Sequence, residues 1–158
     1  MKCPFCHNEE MIVLNSRKTS KGYATWRRKR CVRCLEIFTT YEEINLKYII
    51  VVKRDFSKQR FSHHKLYGSI LNAFLKIKGI DTGDMAQKAK KHTKKVEEQI
   101  VQKKLKEIST KEIFEITVKI LSEKNLDATM NYFSYFCKKR GYKETEKLFE
   151  NFMSTSGH

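Results

Sequence analysis

Cys3-Pro4-Phe5-Cys6 and Cys31-Val32-Arg33-Cys34 set four cysteines in two C-x-x-C pairs with 24 residues between them. Each pair bends the backbone so that both thiolates reach one ion, and two such bends complete a tetrahedral shell. A segment of about 45 residues buries too little apolar surface to hold itself together, so the metal has to organise it. The spacing therefore reads as a zinc ribbon with Cys3, Cys6, Cys31 and Cys34 as ligands of a structural Zn²⁺. Two disulfides would use the same residues, and a redox dithiol would need a βαβ setting that neither pair has. His7 follows the first pair, where a residue at positive φ is common; with four cysteines in the shell it is not needed as a ligand. His7-Asn8-Glu9 matches half of a zinc-deaminase signature, but Arg30 stands where that signature requires proline before the second pair.

The cations point to a polyanion. The 158 residues carry a formal net charge of +15, which suits nucleic acid, nucleotide phosphates or an anionic membrane. From Asn15 to Cys34 there are eight Lys or Arg and no Asp or Glu. Part of this offsets the formal charge of a four-thiolate zinc site. Arg27, Arg28, Lys29 and Arg30 are consecutive, however, so on a strand they point to both faces and some leave the metal. Arginine suits bidentate contacts to phosphate or guanine. Arg17, Arg27, Arg28, Lys29 and Arg30 are accordingly the candidate DNA-binding residues, with Trp26 and Tyr23 as candidate ribbon core. No apolar run is long enough to span a bilayer and no signal-peptide core opens the chain, so a cytoplasmic protein with reduced thiols is expected.

Within the ribbon, Met11-Ile12-Val13-Leu14 reads as a strand, Ser16 to Gly22 as a loop, Tyr23 to Arg30 as a returning strand, and Ile37 to Tyr41 as a third. Further on, Tyr48 to Val52 and Gln59 to Phe61 form a hairpin around the turn Phe56-Ser57-Lys58. Ser62 caps a helix over 63–77, with Leu66, Ile70, Phe74 and Ile77 on one face. A second helix over 84–104 buries Val96 and Ile100; its lysines, from Lys88 to Lys95, are either a solvated face or a further DNA-facing patch. Ser109-Thr110-Lys111-Glu112 is a capping box opening a third helix. Asp127 caps a fourth, with Met130, Phe133 and Phe136 inward and Gly141 as its stop; a short helix over 144–152 follows. Lys53 and Arg54 leave the hairpin near the N-terminus of the first helix, where Lys65 sits in the first turn. Helix N-termini favour anions, so this is either a phosphate site or a set of ordinary exposed cations. There is no P-loop sequence.

Met1-Lys2-Cys3-Pro4-Phe5-Cys6, Ser16-Arg17, Arg27-Arg28-Lys29-Arg30-Cys31 and Phe38-Thr39-Thr40-Tyr41-Glu42 resemble the NrdR family, bacterial transcriptional repressors of ribonucleotide reductase genes. Val51-Val52-Lys53-Arg54-Asp55, Phe61, Lys65-Leu66 and the stretch Glu107 to Ile113 resemble that family's ATP-cone domain. The resemblance implies a repressor that binds promoter DNA through the ribbon. It also implies ATP or dATP as regulatory ligands and a homo-oligomer that changes with the nucleotide bound. It makes Val51, Lys53, Arg54, Lys65 and Lys76 the candidate nucleotide-binding residues. The sequence departs from the family at Phe56, usually Gly; at Gln59, usually Glu; and at Ile77, where a cation is usual.

The chain is thus expected to be α+β. Residues 1–46 form a zinc-ribbon DNA-binding domain, 47–137 a mainly helical ATP-cone-like domain opened by a β-hairpin, and 138–158 a C-terminal helix and tail. The expected function is DNA-binding repression under nucleotide control, without enzymatic activity and without membrane partners. One alternative keeps nucleic-acid binding but has a cone that no longer senses nucleotide. Another is an enzyme of nucleic-acid or nucleotide metabolism, which lacks a nucleophile–base pair, a carboxylate cluster and an open three-ligand metal site.

Overall fold

The computed structural model describes residues 1–18, 24–77, 79 and 81–140, with side chains described as far as Phe136. Tyr23, the stop expected at Gly141, the helix expected over 144–152 and the tail lie outside the described residues. The chain divides into two compact units, Met1–Asn45 and Leu46–His158.

The first unit is a three-stranded antiparallel sheet in the order β1-β2-β3, built from β1 (Met11–Lys18), β2 (Ala24–Cys31) and β3 (Ile37–Glu43). β1 runs past the loop expected from Ser16 onward. Ser16, Arg17 and Lys18 pair with Arg27, Trp26 and Thr25, after an irregularity between Val13 and Asn15 shifts the register. Ladder partners on β2 thus override the polar local sequence. Little is buried here: Ile12, Val13, Leu14, Ile37 and Tyr41 are exposed, Trp26 is half-buried, and Ala24 is buried along with Cys3 and Cys31.

The second unit has a conventional core. After a 3-10 turn at Leu46–Tyr48, β4 (Ile50–Val52) and β5 (Lys58–Arg60) form the expected hairpin. The Lys53 N–H donates to the Ser57 carbonyl, and the Asp55 carboxylate accepts from the Ser57 N–H and hydroxyl. These bonds hold Asp55 below its ordinary pKa, the Ser57 hydroxyl acting most strongly. Phe56 has φ +60° and is 86% exposed, so it keeps the left-handed backbone for which glycine is better suited.

Four helices follow: α1 (His63–Leu75), α2 (Thr82–Gln102), α3 (Thr110–Ser122) and α4 (Leu126–Arg140). α1 packs on α2 and α4, and α3 on the same two helices. Leu66, Ile70 and Phe74 from α1, Val96 and Ile100 from α2, and Phe114, Val118 and Leu121 from α3 meet in one core. The inward face of α4 differs from the expected one. Met130 is exposed, whereas Thr129, Tyr132 and Phe133 are buried, and Phe114 stacks on Tyr132 and Phe136. The cap of α4 also moves: the Asn125 carboxamide accepts from the Ala128 N–H, which leaves Asp127 in the first turn.

A third strand, β6 (Glu107–Ser109), pairs parallel with β4 and gives the order β5-β4-β6, with Val51 opposite both Gln59 and Ile108. Three residues with one buried side chain, Ile108, carry no periodic signal. The strand ends directly in the capping box of α3. The Ser109 hydroxyl accepts from the Glu112 N–H, and the Glu112 carboxylate accepts from the Ser109 N–H.

Those bonds, the Ser109 N–H first and its hydroxyl second, hold the Glu112 carboxyl below its ordinary range. A depressed carboxylate contributes stability that is present above its unfolded pKa and lost as pH falls through the folded value. Ser109→Ala is expected to cost about 1 kcal/mol in denaturant unfolding at neutral pH. Glu112→Gln should flatten the acid side of the stability–pH curve, which wild-type protein loses below about pH 4.5.

Candidate functional site

The two C-x-x-C pairs adopt the same local structure. In the first, the His7 N–H donates to the Cys3 carbonyl (3.0 Å) and the Cys3 N–H to the Asn8 carbonyl (2.8 Å). In the second, the Leu35 N–H donates to the Cys31 carbonyl (3.1 Å) and the Cys31 N–H to the Glu36 carbonyl (3.0 Å). The residue after each second cysteine has positive φ, 60° at His7 and 62° at Leu35. Position 7 is expected at positive φ from its place after the first pair; Leu35, at the equivalent place after the second, is not singled out by the sequence. The Asn8 carboxamide adds a long contact to the Cys31 sulfur at 3.9 Å.

These turns bring the four sulfurs within 4.8 Å of one another, with Cys3 to Cys34 at 3.6 Å and Cys6 to Cys31 at 3.5 Å and no disulfide among them. A tetrahedral shell with Zn–S bonds of about 2.3 Å separates its sulfurs by about 3.8 Å. The donor set therefore fits Zn²⁺. Thiols so close resist joint ionisation. The Cys34 and Arg33 N–H groups pull Cys31 down to about 6. Cys34, although the Glu36 N–H acts to lower it, is pushed up to about 12 by desolvation and the neighbouring sulfurs. A dication relieves this conflict by taking all four as thiolates.

β2 carries the basic run from the metal into the middle of the sheet. Its alternation and register put Arg28, Arg30 and Trp26 on one face, with Arg17 from β1 and Tyr41 from β3 opposite Trp26. Arg17, Arg28 and Arg30 are exposed there. Arg27 and Lys29 lie on the other face. The Arg27 guanidinium engages both carboxylate oxygens of Glu42, at 3.0 and 3.2 Å. Of the five candidate DNA-binding residues, three thus share a face with two aromatic rings, and Arg27 is held by a partner that the sequence pattern did not single out.

In the second unit, Val51 is buried in the middle strand of the sheet. Gln59, opposite it on β5, accepts a hydrogen bond from the Lys65 ammonium (2.9 Å). Lys53 stands two residues beyond Val51, at the start of the turn, and Arg54 follows; both are exposed. The Ser62 hydroxyl caps α1 by accepting from the Lys65 N–H, and the first turn of α1 contains no acid. Lys76 occupies the C-cap of the same helix, roughly 16 Å along its axis from Lys65. The fold links Val51, Gln59 and Lys65 and sets Lys76 at the far end.

Comparison with known proteins matches both units. Residues 1–42 match the N-terminal domain of NrdR-like transcriptional repressors, and residues 49–141 match the ATP cone domain. A transcriptional repressor NrdR from Gloeothece citriformis is 34% identical over 89% of this chain and 76% of its own length. One from Prochlorococcus marinus is 32% identical over 99% of this chain and 95% of its own.

The chain belongs to the NrdR family of transcriptional repressors.

A third NrdR, from Carboxydothermus hydrogenoformans, is 47% identical over 46% of this chain and 47% of its own length. Membership gives each of the two units a role. The sulfur cluster is the zinc site of an NrdR ribbon, and the ATP cone is a nucleotide regulatory domain. The family is regulatory rather than enzymatic. Among the described residues no helix is long and apolar enough to cross a membrane.

When bound, the ion supplies the cross-link between the knuckles that the small sheet lacks. Wild-type protein should carry one zinc per chain by elemental analysis, releasing it as protons compete for the thiolates on acidification. Cys31→Ser should lower that stoichiometry and abolish the ribbon's dispersed amide NMR signals. The helical circular dichroism contributed by the unit from Leu46 onward should remain.

Proposed function

We propose that this chain is a zinc-dependent repressor that binds duplex DNA at promoters of ribonucleotide reductase genes, with ATP or dATP in the cone controlling self-association and hence binding. The observation that carries the DNA-binding part is the exposed face of the ribbon sheet bearing Arg17, Arg28 and Arg30 beside Trp26 and Tyr41. A two-stranded or three-stranded ribbon is narrow enough to approach the major groove, where arginine reads guanine O6 and N7 as a bidentate pair. Rings on the same face would give the guanidinium groups apolar support. Arg27, neutralised by Glu42, would stiffen the sheet, and Lys29 would contact phosphate as a point charge.

For the nucleotide, the candidates are Lys65 in the Ser62-capped first turn of α1, Val51 in the middle strand, and Lys53 and Arg54 in the turn at the opposite end of the hairpin. Phe56 at a left-handed position and Lys65 already bonded to Gln59 favour a second reading, in which the cone is retained as a scaffold but no longer responds to nucleotide.

The decisive assay is anisotropy of zinc-loaded protein on a labelled ribonucleotide reductase promoter fragment and on a scrambled one, with no nucleotide, ATP or dATP. Promoter preference that nucleotide alters is the expected result. Preference indifferent to nucleotide selects the non-sensing cone, and equal affinity for both fragments overturns specific repression. With about four phosphates neutralised by the remaining ribbon cations Arg17, Arg28, Lys29 and Arg30, the ribbon's contribution to the log–log salt slope should lie near −3 to −4. Arg28→Ala with Arg30→Ala should remove the promoter preference, whereas Lys53→Ala with Lys65→Ala should remove the nucleotide response alone.

A further inference from the structure

The lysines of α2 remain outside both sites. Between Asp84 and Glu97 the helix contains Lys88, Lys90, Lys91, Lys94 and Lys95 and no acid. Lys88, Lys91 and Lys95 recur at i, i+3 and i+7 and so form a stripe about 10 Å long on the helix surface. Lys94 lies beside it, and all of these except the half-buried Lys95 are exposed. The inward face is taken up by Met85, Ala89, His92, Val96 and Ile100.

Helix stability does not account for this arrangement. Lys90 with Lys94, and Lys91 with Lys95, are like charges at i, i+4, a spacing at which they repel. Within the stripe, Lys95 approaches Glu123 only to 3.9 Å, and among the described residues neither Lys88 nor Lys91 has a carboxylate partner. The field also reaches the buried His92. Its pKa is lowered first by burial and further by Lys95, Lys91 and Lys124, despite the opposing hydrogen bond to the Lys88 carbonyl.

We infer that the lysine stripe of α2 is a second DNA contact, which binds the phosphate backbone of duplex DNA outside the base pairs that the ribbon reads. Lysines are mobile point charges without the planar fork of arginine, so they suit backbone attraction rather than base discrimination. The occupant is complementary in charge to a face that otherwise repels itself. This assignment rests on the reading of the chain as a DNA-binding repressor but adds a contact by the other unit, one that strengthens binding without altering sequence preference.

The test compares wild-type protein with the triple variant Lys88→Gln, Lys91→Gln, Lys95→Gln on a promoter duplex carrying random-sequence flanks, titrated over a range of salt concentrations. The variant should show a log–log salt slope shallower by about 2 to 3, with an unchanged ratio of promoter to scrambled affinity. Its thermal midpoint should match or exceed that of wild type, because repulsion on the helix is relieved. An unchanged slope overturns the inference, as does a loss of binding confined to single-stranded RNA or to vesicles containing phosphatidylserine. If wild-type protein shows no promoter preference, the repressor reading fails, while the slope difference on scrambled duplex still decides the lysine contact. Should the triple variant unfold, the single exposed change Lys91→Glu supplies the same comparison.

Discussion

Convergence of four sulfurs on one point is the constraint from which the first unit follows. Its sheet has almost nothing else to hold it. Ala24 and two of the cysteines are buried, while Ile12, Val13, Ile37 and Tyr41 face solvent. Full burial of a large aliphatic side chain contributes about 1.5–3 kcal/mol, and the ribbon has almost none to count. Structural zinc in small domains contributes about 10–16 kcal/mol at neutral pH. The metal term therefore dominates, and both faces of the sheet are released from core duty. That release allows β2 to carry four consecutive cations through the centre of a folded unit, an arrangement that an ordinary sheet with one buried face could not tolerate.

The second unit solves the same problem by packing. Phe74, Ile70, Ile100 and Leu121 are fully buried where the four helices meet, and Phe114 gathers Tyr132 and Phe136 around it. Its sheet is short because the helices do most of the burying; the middle strand supplies Val51 and little more. With the apolar work done inside, the hairpin turn, the first turn of α1 and the outer surface of α2 are left to charge.

What could be read in the sequence was what depends on local spacing. The metal ligands follow from two four-residue motifs, the helices from their apolar periodicity, and the start of α3 from a capping box that forms as written. What escaped depends on partners distant in the chain. β6 has too few residues to show a period and exists because Ile50, Val51 and Val52 lie alongside it. Ser16 to Lys18 look like a loop until β2 provides their ladder. Met130 fits the period of α4 as well as Tyr132 does, and only packing against Phe114 selects the tyrosine. At the candidate sites, the division of the basic run into Arg28 and Arg30 on one face and Arg27 and Lys29 on the other follows from alternation alone. The clamp of Glu42 on Arg27 does not, since it requires the register of β3.

The parallel pairing of β4 with β6 has a consequence for how the chain is made. Val51 can find Ile108 only after α1 and α2, which lie between them, have emerged from the ribosome. The ribbon needs no such delay, because its last ligand is Cys34. Synthesis runs from the N-terminus at rates that allow early units to fold first, and contacts between distant residues form slowly. A nascent chain would thus acquire its metal, and with it the arginine-bearing sheet, while the cone remained an open polymer. Any control exerted by the cone is therefore imposed on a ribbon that has already folded.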